Sequence, residues 1–497
     1  MIELFKSIQL DKESKTSLYL QLFNCLKELI QDGTLPPDLK LPSVRKLSEA
    51  LKINQITVVS AFKQLEKEGF AYSKPGSGTY VANSLQAVPE SLPTTFLDEL
   101  YQNDDISVIN NDRIKISDQT INFASATPTS DLFPVKDFKL VLNEVLDRDK
   151  GSAFGYQDSQ GFYPLRESIA EILKRSSIHC NPENIQIISG AQQGIDIISK
   201  AFLSQGDYVI TESPTYTGAI AVFKSRGAQI ADVQMEKDGL NLNILEYTLQ
   251  KFKPKLIYTI PSFQNPTGCS YSNYKRAEIV RLAEKYGAYI IEDDYVSDLD
   301  FENRGFSPLK ALDFNHRVIY IKSFSKIFMP GLRLGFMIVP QKLKQQTIEA
   351  KHTTDISTSG LTQRAFDLYI REGYWDQHFN FMFDIYKERY FETIHALDGH
   401  LPKEVTYSKP GGGLNIWLDM PYGFPVNNLL KHASSNDVVF APGRIFYSGN
   451  CPQSINNIRL SFAAVYTDQI KCGVEKLCAM IASLLDGKDL YQSIRIL

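Results

Sequence analysis

Residues 318–335 read VIYIKSFSKIFMPGLRLG, and their order of apolar and polar residues indicates how the larger part of the chain folds. The run 318–321 is continuously apolar, which is typical of a strand buried on both faces of a sheet. The polar segment Ser323-Phe-Ser-Lys326 follows it, and a second apolar run begins at residue 335, after Pro330-Gly-Leu-Arg333. Open parallel sheets bind ligands just beyond the carboxyl ends of their strands. The polar residues of this stretch therefore lie where a ligand is expected.

The same pattern continues on both sides of this stretch. Short apolar runs alternate with stretches of helical periodicity from about residue 120 to the end of the chain. We predict strands at 185–188, 208–211, 256–260, 289–291, 318–321 and 335–339. Such alternation predicts an α/β domain with a mainly parallel sheet covered by helices on both faces.

Three more polar motifs stand directly after predicted strands. They are Ser189-Gly-Ala-Gln-Gln193, Asn265-Pro-Thr-Gly268 and Glu292-Asp-Asp-Tyr295. Each motif is weak alone, because Asn-Pro-x-Gly is usually a turn and Ser-x-Ser-Lys is usually a loop. An isolated lysine is usually a surface residue, and an aspartate after a strand often caps a helix. The order and spacing of the four motifs together indicate one shared site.

The four motifs supply what pyridoxal phosphate requires of a protein. Lys326 offers an amine for the cofactor's aldehyde, and Asp293 offers a carboxylate for its pyridine nitrogen. Gly190 and Ala191 offer backbone N–H groups for the phosphate at a predicted helix N-terminus. The rest of the predicted phosphate cradle is Ser323, Ser325 and Arg333. An arginine binds phosphate oxygens at two points.

Residues 1–82 do not show the alternation of strands and helices that is predicted after residue 120. Their periodicity predicts helices at about 17–32, from 43, and from about 54 to 69, followed by strands at 70–73 and 78–81. Three helices and a two-stranded wing make a winged helix-turn-helix, whose third helix enters the major groove of DNA. Residues 40–82 carry seven Lys and Arg against three Glu, a net charge of +4. This local charge favours DNA binding, although solvated charges on a small helical domain are the alternative.

Composition excludes several other classes. The chain has 497 residues and a net charge of −4, and no apolar run approaches the ~18 residues of a membrane helix. The N-terminus is charged where a signal peptide is apolar, so we expect a cytoplasmic protein with no membrane partner. The six cysteines are scattered without CxxC spacing, which argues against a disulfide framework or a metal site.

Residues 83–119 have a net charge of −5, and we predict that this acidic linker joins domains at 1–82 and 120–497.

The N-terminal motifs resemble the DNA-binding domain of the GntR family. The resemblance rests on Tyr19-Leu-Gln21, Leu41-Pro-Ser-Val-Arg45, Thr57-Val-Val-Ser-Ala61 and Gly76-Ser-Gly-Thr79. The DNA contacts that it implies are Arg45, Asn54, Gln55, Ile56, Thr57 and Gly76. Many members carry arginine where this chain has Gln55. Glutamine can still read adenine with two hydrogen bonds. Because this position departs from the common pattern, the operator sequence stays open.

The motifs of the larger domain resemble fold-type I pyridoxal phosphate enzymes of the class I aminotransferase kind, over about residues 120–490. The resemblance implies that Tyr216 stacks on the pyridine ring and that Asn265 and Tyr295 hydrogen-bond the phenolic oxygen. It implies that Arg459 holds a substrate carboxylate. It also implies a dimer in which Tyr156 reaches the phosphate of the other subunit.

Three further features of this domain lie outside these assignments. Ala126 and Thr129 replace a glycine and an aspartate that are usual in the regulator branch, which leaves the fit of a ligand carboxylate open. Arg444 is a cation near the same strand ends with no assigned role. The run Gly411-Gly-Gly413 precedes a predicted strand, and we interpret it as close backbone packing and not as a phosphate loop.

With both motif sets present, the chain is identified as a member of the MocR family of transcriptional regulators. The resemblance implies a head-to-tail homodimer that binds a double-stranded DNA operator, pyridoxal 5'-phosphate and an amino acid or amine effector. A regulator that senses the cofactor itself would use the same site. The alternative is a catalytically active aminotransferase with an appended DNA-binding domain, since the residues for turnover are present. The sequence leaves the effector, the operator and the sign of regulation open.

Overall fold

The chain divides into two compact units, Met1–Leu97 and Asp98–Leu497. The computed structural model describes residues 5, 18–31, 34–36, 39–51, 53–67, 70–74, 78–81, 119–407, 409–449 and 455–487. The predicted linker, apart from residue 119, lies outside the described residues. Within the described ranges, no helix is long and apolar enough to cross a membrane.

The first unit contains the predicted three helices and wing. Its elements are α1 (Leu18–Gln31), α2 (Val44–Leu51), α3 (Gln55–Lys67), β1 (Ala71–Lys74) and β2 (Gly78–Val81). The strands pair antiparallel, and the Leu41 N–H donates to the Thr79 carbonyl at 2.8 Å, which adds the segment before α2 to the wing. The predicted inward residues Leu22, Leu26 and Phe62 are buried in one core. This unit therefore has the winged helix-turn-helix fold.

The second unit alternates strands with helices. Its strands are β3 (Ile121–Asn122), β4 (Ile185–Ile188), β5 (Tyr208–Ser213), β6 (Gln229–Glu236), β7 (Gly239–Leu240), β8 (Leu256–Thr259), β9 (Tyr289–Asp294), β10 (Val318–Ser323), β11 (Gly335–Ile338), β12 (Thr406–Tyr407), β13 (Asn415–Asp419), β14 (Val438–Val439), β15 (Ala441–Pro442) and β16 (Asn457–Ser461). Its α-helices are α4 (Val135–Asp149), α5 (Tyr163–Leu173), α6 (Ala191–Phe202), α7 (Thr217–Ser225), α8 (Leu242–Phe252), α9 (Asn273–Tyr286), α10 (Lys344–Asp355), α11 (Gly360–Arg371), α12 (Tyr374–His400), α13 (Val426–Ser435) and α14 (Thr467–Leu485).

A mainly parallel sheet of eight strands forms the centre of this unit, in the order β4-β11-β10-β9-β8-β5-β6-β7. The strands β10, β9, β8, β5 and β6 run parallel, whereas β11 is antiparallel to both of its neighbours. Neighbouring residues of one strand enter different cores: Ile291 lies in one cluster and Ile290 in another. Because side chains alternate across a strand, the sheet buries both faces, as its continuous apolar runs predict.

The parallel strands all end at one edge of the sheet, which brings the four polar motifs together. In the register of β9 and β10, Asp293 pairs with Ile321, two residues before Ser323. Motifs that are far apart in the sequence therefore meet at the carboxyl ends of β4, β8, β9 and β10.

The C-terminal part of this unit forms a smaller subdomain. Its antiparallel sheet has the order β12-β13-β16-β15, and the short strand β14 pairs in parallel with β3. The 27-residue helix α12 leads from the large sheet into this subdomain and packs along α14. The fold is thus the predicted large α/β domain with a smaller C-terminal subdomain.

Candidate functional site

A cavity of about 250 Å³ lies at the carboxyl ends of the central strands. The predicted site residues that line it are Gly190, Ala191, Tyr216, Asn265, Asp293, Tyr295, Ser323, Ser325, Lys326 and Arg333. The fold therefore collects in one place the residues of all four motifs. Its size and its mixture of polar and apolar walls suit a small molecule.

Asp293 is the most distinctive residue of the cavity. It is buried at the end of β9, and its Oδ2 accepts a hydrogen bond of 2.6 Å from the Tyr258 hydroxyl. Its Oδ1 is buried and has no hydrogen-bond partner among the described residues. Burial raises the pKa of this carboxyl to about 7, although the Tyr258 hydroxyl and the charge of Lys326 act in the opposite direction. A buried polar atom without a partner is costly, so a polar group of a ligand is expected here.

The corner of the cavity formed by Gly190, Arg333, Ser323 and Ser325 can hold an anion. Gly190 caps the N-terminus of α6 with a φ of 95°, a conformation that favours glycine. Arg333 Nη2 donates to the Ser189 carbonyl at 2.6 Å, and a Cβ on Gly190 would lie 2.7 Å from the same nitrogen. The Ser323 hydroxyl lies 3.1 Å from that of Ser325. These groups surround the positive end of α6.

Arg459 approaches the cavity from the smaller subdomain. It is fully buried on β16, and its Nη1 donates to Asn265 Oδ1 at 3.0 Å. Its Nη2 donates to the Ala124 carbonyl, and its guanidinium lies 5.0 Å from the ring centroid of Phe446. Because Asn265 accepts from Arg459 with its oxygen, its amide N–H₂ group is oriented away from this bond. The asparagine can therefore donate to a ligand while the arginine positions it.

Tyr216 and Tyr295 both line the cavity, and they have different surroundings. Tyr216 immediately precedes α7, and a Cβ on Gly218 would lie 2.6 Å from its ring, so the backbone packs closely beside the ring. The Tyr295 hydroxyl donates to the Phe263 carbonyl at 2.6 Å and accepts from Asn415 Nδ2 at 3.0 Å. The single hydroxyl proton of Tyr295 is thus used within the protein, and its expected bond to the phenolic oxygen of a cofactor stays a prediction. In this arrangement Asn265 is the better placed donor.

Lys326 lies in the loop after β10, and α12 holds the backbone of this loop. The Tyr386 hydroxyl donates to the Lys326 carbonyl at 2.9 Å, and His378 Nε2 lies 2.9 Å from the Ile327 carbonyl. Burial lowers the pKa of His378, which favours the neutral ring with its proton on Nε2. Two side chains of one helix therefore fix the main chain on which the lysine is carried.

Several residues singled out in the sequence lie outside this cavity. Tyr156 is 88% exposed, so its side chain does not enter the cavity of its own chain. Arg444 is also exposed. A Cβ on Gly412 would lie 2.4 Å from the Phe263 ring, which fits the interpretation of the glycine run as close backbone packing. Thr129 is a distant acceptor for the buried Arg389, at 3.5 Å.

Sequence reasoning missed part of the cavity wall. The missed residues are Ser125, Thr127, Gln192, Ile260 and Pro330. Gln192 belongs to a quoted motif, and its buried Oε1 has no hydrogen-bond partner within the described ranges. The partner of Asp293, Tyr258, was also missed, because a tyrosine in an apolar strand is typical of a core residue.

Arg45 of α2 and the start of α3 form the candidate DNA-binding surface. The exposed residues of this surface are Arg45, Asn54, Gln55 and Ile56, whereas Thr57 is half-buried. Asn54 Oδ1 accepts from the Ile56 N–H at 3.0 Å, so its side chain caps the helix. Arg45 Nε lies 3.0 Å from Glu49 Oε1. Gly76 lies outside the described residues.

Comparison with known proteins matches two separate parts of the chain to two families. Residues 18–81 match the bacterial regulatory proteins of the gntR family, and residues 118–477 match the class I and II aminotransferases. The chain is 30% identical to the uncharacterized HTH-type transcriptional regulator YisV of Bacillus subtilis, over 94% of this chain and 96% of that protein. It is 29% identical to the probable rhizopine catabolism regulatory protein MocR of Rhizobium meliloti, over 92% of this chain and 96% of that protein.

A solved aminotransferase has the same fold as the second unit. The structure is LysN, the alpha-aminoadipate aminotransferase of Thermus thermophilus, complexed with N-(5'-phosphopyridoxyl)-L-leucine. It matches with a TM-score of 0.69 and 32% identity, over 76% of this chain and 97% of LysN.

Fold, motifs and comparisons together define the chain as a fusion of a gntR-type DNA-binding domain and an aminotransferase-like domain. Both YisV and the MocR protein match this chain over nearly their whole length, through both domains. The chain belongs to the MocR family of transcriptional regulators.

Proposed function

We propose that this chain is a DNA-binding transcriptional regulator that binds pyridoxal 5'-phosphate at Lys326 and senses an amino acid or amine in the same cavity. The observation that carries the proposal is the buried Oδ1 atom of Asp293, which has no hydrogen-bond partner among the described residues. A protonated pyridine nitrogen is the partner that such an atom suits. In LysN, which has the same fold, the bound molecule is a phosphopyridoxyl amino acid.

The other residues of the cavity fit the rest of this cofactor. Gly190 leaves room beside Arg333 that a side chain would fill, and the N-terminus of α6 adds backbone N–H groups for a phosphate. Tyr216 offers a ring for stacking, and Asn265 offers an amide donor for the phenolic oxygen. When bound, the cofactor supplies an aldehyde that reacts with amines and a ring that withdraws electrons.

The residues of the chain then have separate tasks. The Lys326 amine would attach the cofactor, and the Asp293 carboxylate would accept a hydrogen bond from its protonated pyridine nitrogen. Arg459 anchors the carboxylate of an incoming amino acid while it positions Asn265 at 3.0 Å. Because Arg459 is carried by the smaller subdomain and Lys326 by the larger, a ligand that contacts both favours one arrangement of the two.

The preference of a ligand for one arrangement of the two subdomains gives a means of regulating DNA affinity. A ligand shifts an equilibrium between two conformations only by its difference in affinity for them. An effector that binds between Arg459 and Lys326 therefore changes DNA affinity if the two arrangements differ in how they present the N-terminal unit. We propose a head-to-tail homodimer as the functional form, with the exposed Tyr156 completing the phosphate site of the partner subunit. The proposed domain boundaries are 1–82, 83–119 and 120–497.

The decisive experiment titrates the cofactor-loaded protein with amino acids and with the matching amines that lack a carboxylate. Absorbance reports ligand binding, a DNA-binding assay reports the switch, and an assay for keto acid reports turnover. A saturable absorbance change together with altered DNA affinity and less than one equivalent of keto acid supports a sensor. An absorbance change with no effect on DNA affinity contradicts it.

The second candidate function is an aminotransferase with an appended DNA-binding domain. It is favoured by the presence in one cavity of Lys326, Asp293 and Asn265, with Arg459 beside them. Lys326 would then move a proton as well as attach the cofactor. Many equivalents of keto acid per subunit, formed with a second keto acid as acceptor, would establish this function. If only the cofactor itself alters DNA affinity, the protein senses pyridoxal phosphate directly.

A further inference from the structure

We propose that α3 reads an A·T base pair in the operator, with Gln55 hydrogen-bonding to the adenine and Ile56 packing against a thymine methyl group. The inference rests on the proposed DNA-binding function and specifies the sequence that the protein prefers. It concerns the two residues that the first turn of α3 presents to solvent.

The exposed face of α3 carries two apolar residues. Val58 and Phe62 are buried in the core of the first unit, as expected for the inner face of the helix. On the outer face, Ile56 is 71% exposed and Val59 is 37% exposed. Residues three apart in a helix are neighbours, so these two side chains form one apolar ridge. Single exposed apolar residues are common, but this pair lies at the start of the helix that would enter the major groove, where it can contact apolar groups of the bases.

The helix cap determines which residues can reach the bases. Asn54 Oδ1 accepts the Ile56 N–H at 3.0 Å, so the Asn54 side chain is committed to the cap. Thr57 is half-buried. The side chain of Gln55 is exposed, and no hydrogen bond of it occurs within the part of the chain that the structure describes. The residues at the N-terminus of a recognition helix contact base edges, which leaves Gln55 and Ile56 for this task.

The chemistry of these two side chains selects the base pair. A glutamine amide has one acceptor and one donor group, and these match the N6 amino group and the N7 atom of adenine. Guanine presents two acceptors at this edge, which an arginine or lysine satisfies better. The branched side chain of Ile56 has no polar atom, and the thymine C5-methyl is the apolar group that the major groove offers. Both preferences point to A·T pairs.

The test begins with the selection of binding sites from random double-stranded DNA by the full-length protein and by three variants. Gln55→Arg and Ile56→Ala change the proposed reading residues, and Asn24→Ala changes an exposed residue of α1 as a control. We expect the wild type and Asn24→Ala to enrich the same motif with an A·T pair, and Gln55→Arg to replace that pair by G·C. Loss of the Gln55 contact should weaken binding to the original motif by about tenfold or more.

A methyl-group test isolates Ile56. Replacing the selected thymine by uracil removes only the C5-methyl group, and we expect about fourfold weaker binding by the wild type. Ile56→Ala should bind both DNAs equally. A selected motif without a pair that responds to Gln55→Arg, or an equal uracil effect on the wild type and Ile56→Ala, would overturn the inference. If the wild type enriches no motif, the proposed operator-binding function itself fails.

Discussion

The Tyr258 hydroxyl donates a 2.6 Å hydrogen bond to Oδ2 of Asp293. This bond gives the two oxygens of one carboxyl group different roles. One oxygen is fixed by a neighbouring strand, and the other is buried at the cavity without a partner among the described residues. The same burial raises the pKa of Asp293 to about 7. Without a ligand, the folded chain therefore holds a proton that the unfolded chain releases near pH 4.

This pKa predicts how stability depends on pH. Because the folded pKa is raised, the cofactor-free protein should lose stability as pH rises from about 4 to 7. Asp293→Asn should flatten this dependence, measured as thermal midpoints of the cofactor-free proteins at pH 5 and 8. Added cofactor, whose protonated ring nitrogen favours the charged carboxylate, should stabilise the wild type more at pH 8 than at pH 5. Asp232→Asn, which removes another carboxyl with a burial-raised pKa, should leave that cofactor effect intact. Equal cofactor effects in wild type and Asp293→Asn would contradict the assignment.

Gly190→Ala should damage the anion corner specifically. The new Cβ would lie 2.7 Å from Arg333 Nη2 and would push the guanidinium from its place. Gly206→Ala is a matched control, since Gly206 has a similar φ of 87° with no atom within 4 Å of an added Cβ. Both variants should lose about 1 kcal/mol of stability from backbone strain. Only Gly190→Ala should bind inorganic phosphate and pyridoxal phosphate at least tenfold more weakly. Equal weakening in both variants would mean that strain alone matters.

Lys326→Ala should abolish covalent attachment of the cofactor. Borohydride reduction of the loaded wild type followed by peptide mass measurement should place the added mass on Lys326. The visible absorbance band of the attached cofactor should be absent from the variant and retained in Lys342→Ala, which changes an exposed lysine. A retained band in Lys326→Ala would show that another lysine is used.

Arg459→Lys should distinguish ligands by their carboxylate. Lysine keeps the charge but not the planar two-point contact, so amino acid affinity should fall by about 10- to 100-fold. Affinity for the matching amines without a carboxylate should change little. Arg444→Lys, at an exposed position, is the control and should alter neither. Equal losses for amino acids and amines would assign Arg459 a structural task, for example the support of Asn265.

Arg45→Ala should weaken binding to every DNA sequence. An arginine that contacts phosphate contributes about one unit to the slope of log affinity against log salt, so this slope should fall by about one. Glu49→Gln is an informative counterpart, because it removes the 3.0 Å ion pair and releases Arg45 for the phosphate. We expect equal or tighter binding by that variant. Binding by Arg45→Ala that is unchanged in strength and salt dependence would exclude the proposed docking.

The sequence predicts the strands and their carboxyl ends well, because buried parallel strands are continuous apolar runs and the ligand-binding motifs follow them. All six strands predicted in the larger domain occur, and Ile185–Ile188 has the predicted bounds. The local motifs at Lys326 and Asp293 are therefore placed together by topology alone. Side-chain hydrogen bonds between distant segments were not predictable in this way. The proton of Tyr295, donated to Phe263, is one example, and the partnership of Tyr258 with Asp293 is another.

The first turn of α3 also combines features that the sequence predicts with a hydrogen bond that it does not predict. The position of the helix and the exposure of Gln55 follow from the periodicity of its buried face. The assignment of Asn54 to the cap depends on a hydrogen bond to the backbone of Ile56 that competes with any contact to DNA. Residue type alone does not decide between these two uses of an asparagine.

The helix α12 has 27 residues and is therefore about 40 Å long. In its first half it holds the carbonyls of Lys326 and Ile327, and it also packs against α14 of the smaller subdomain. Because one helix contacts both places, we expect a tilt of the smaller subdomain to move the loop that carries Lys326. The position of the Lys326 amine should then depend on the packing of the smaller subdomain as well as on the residues of the cavity.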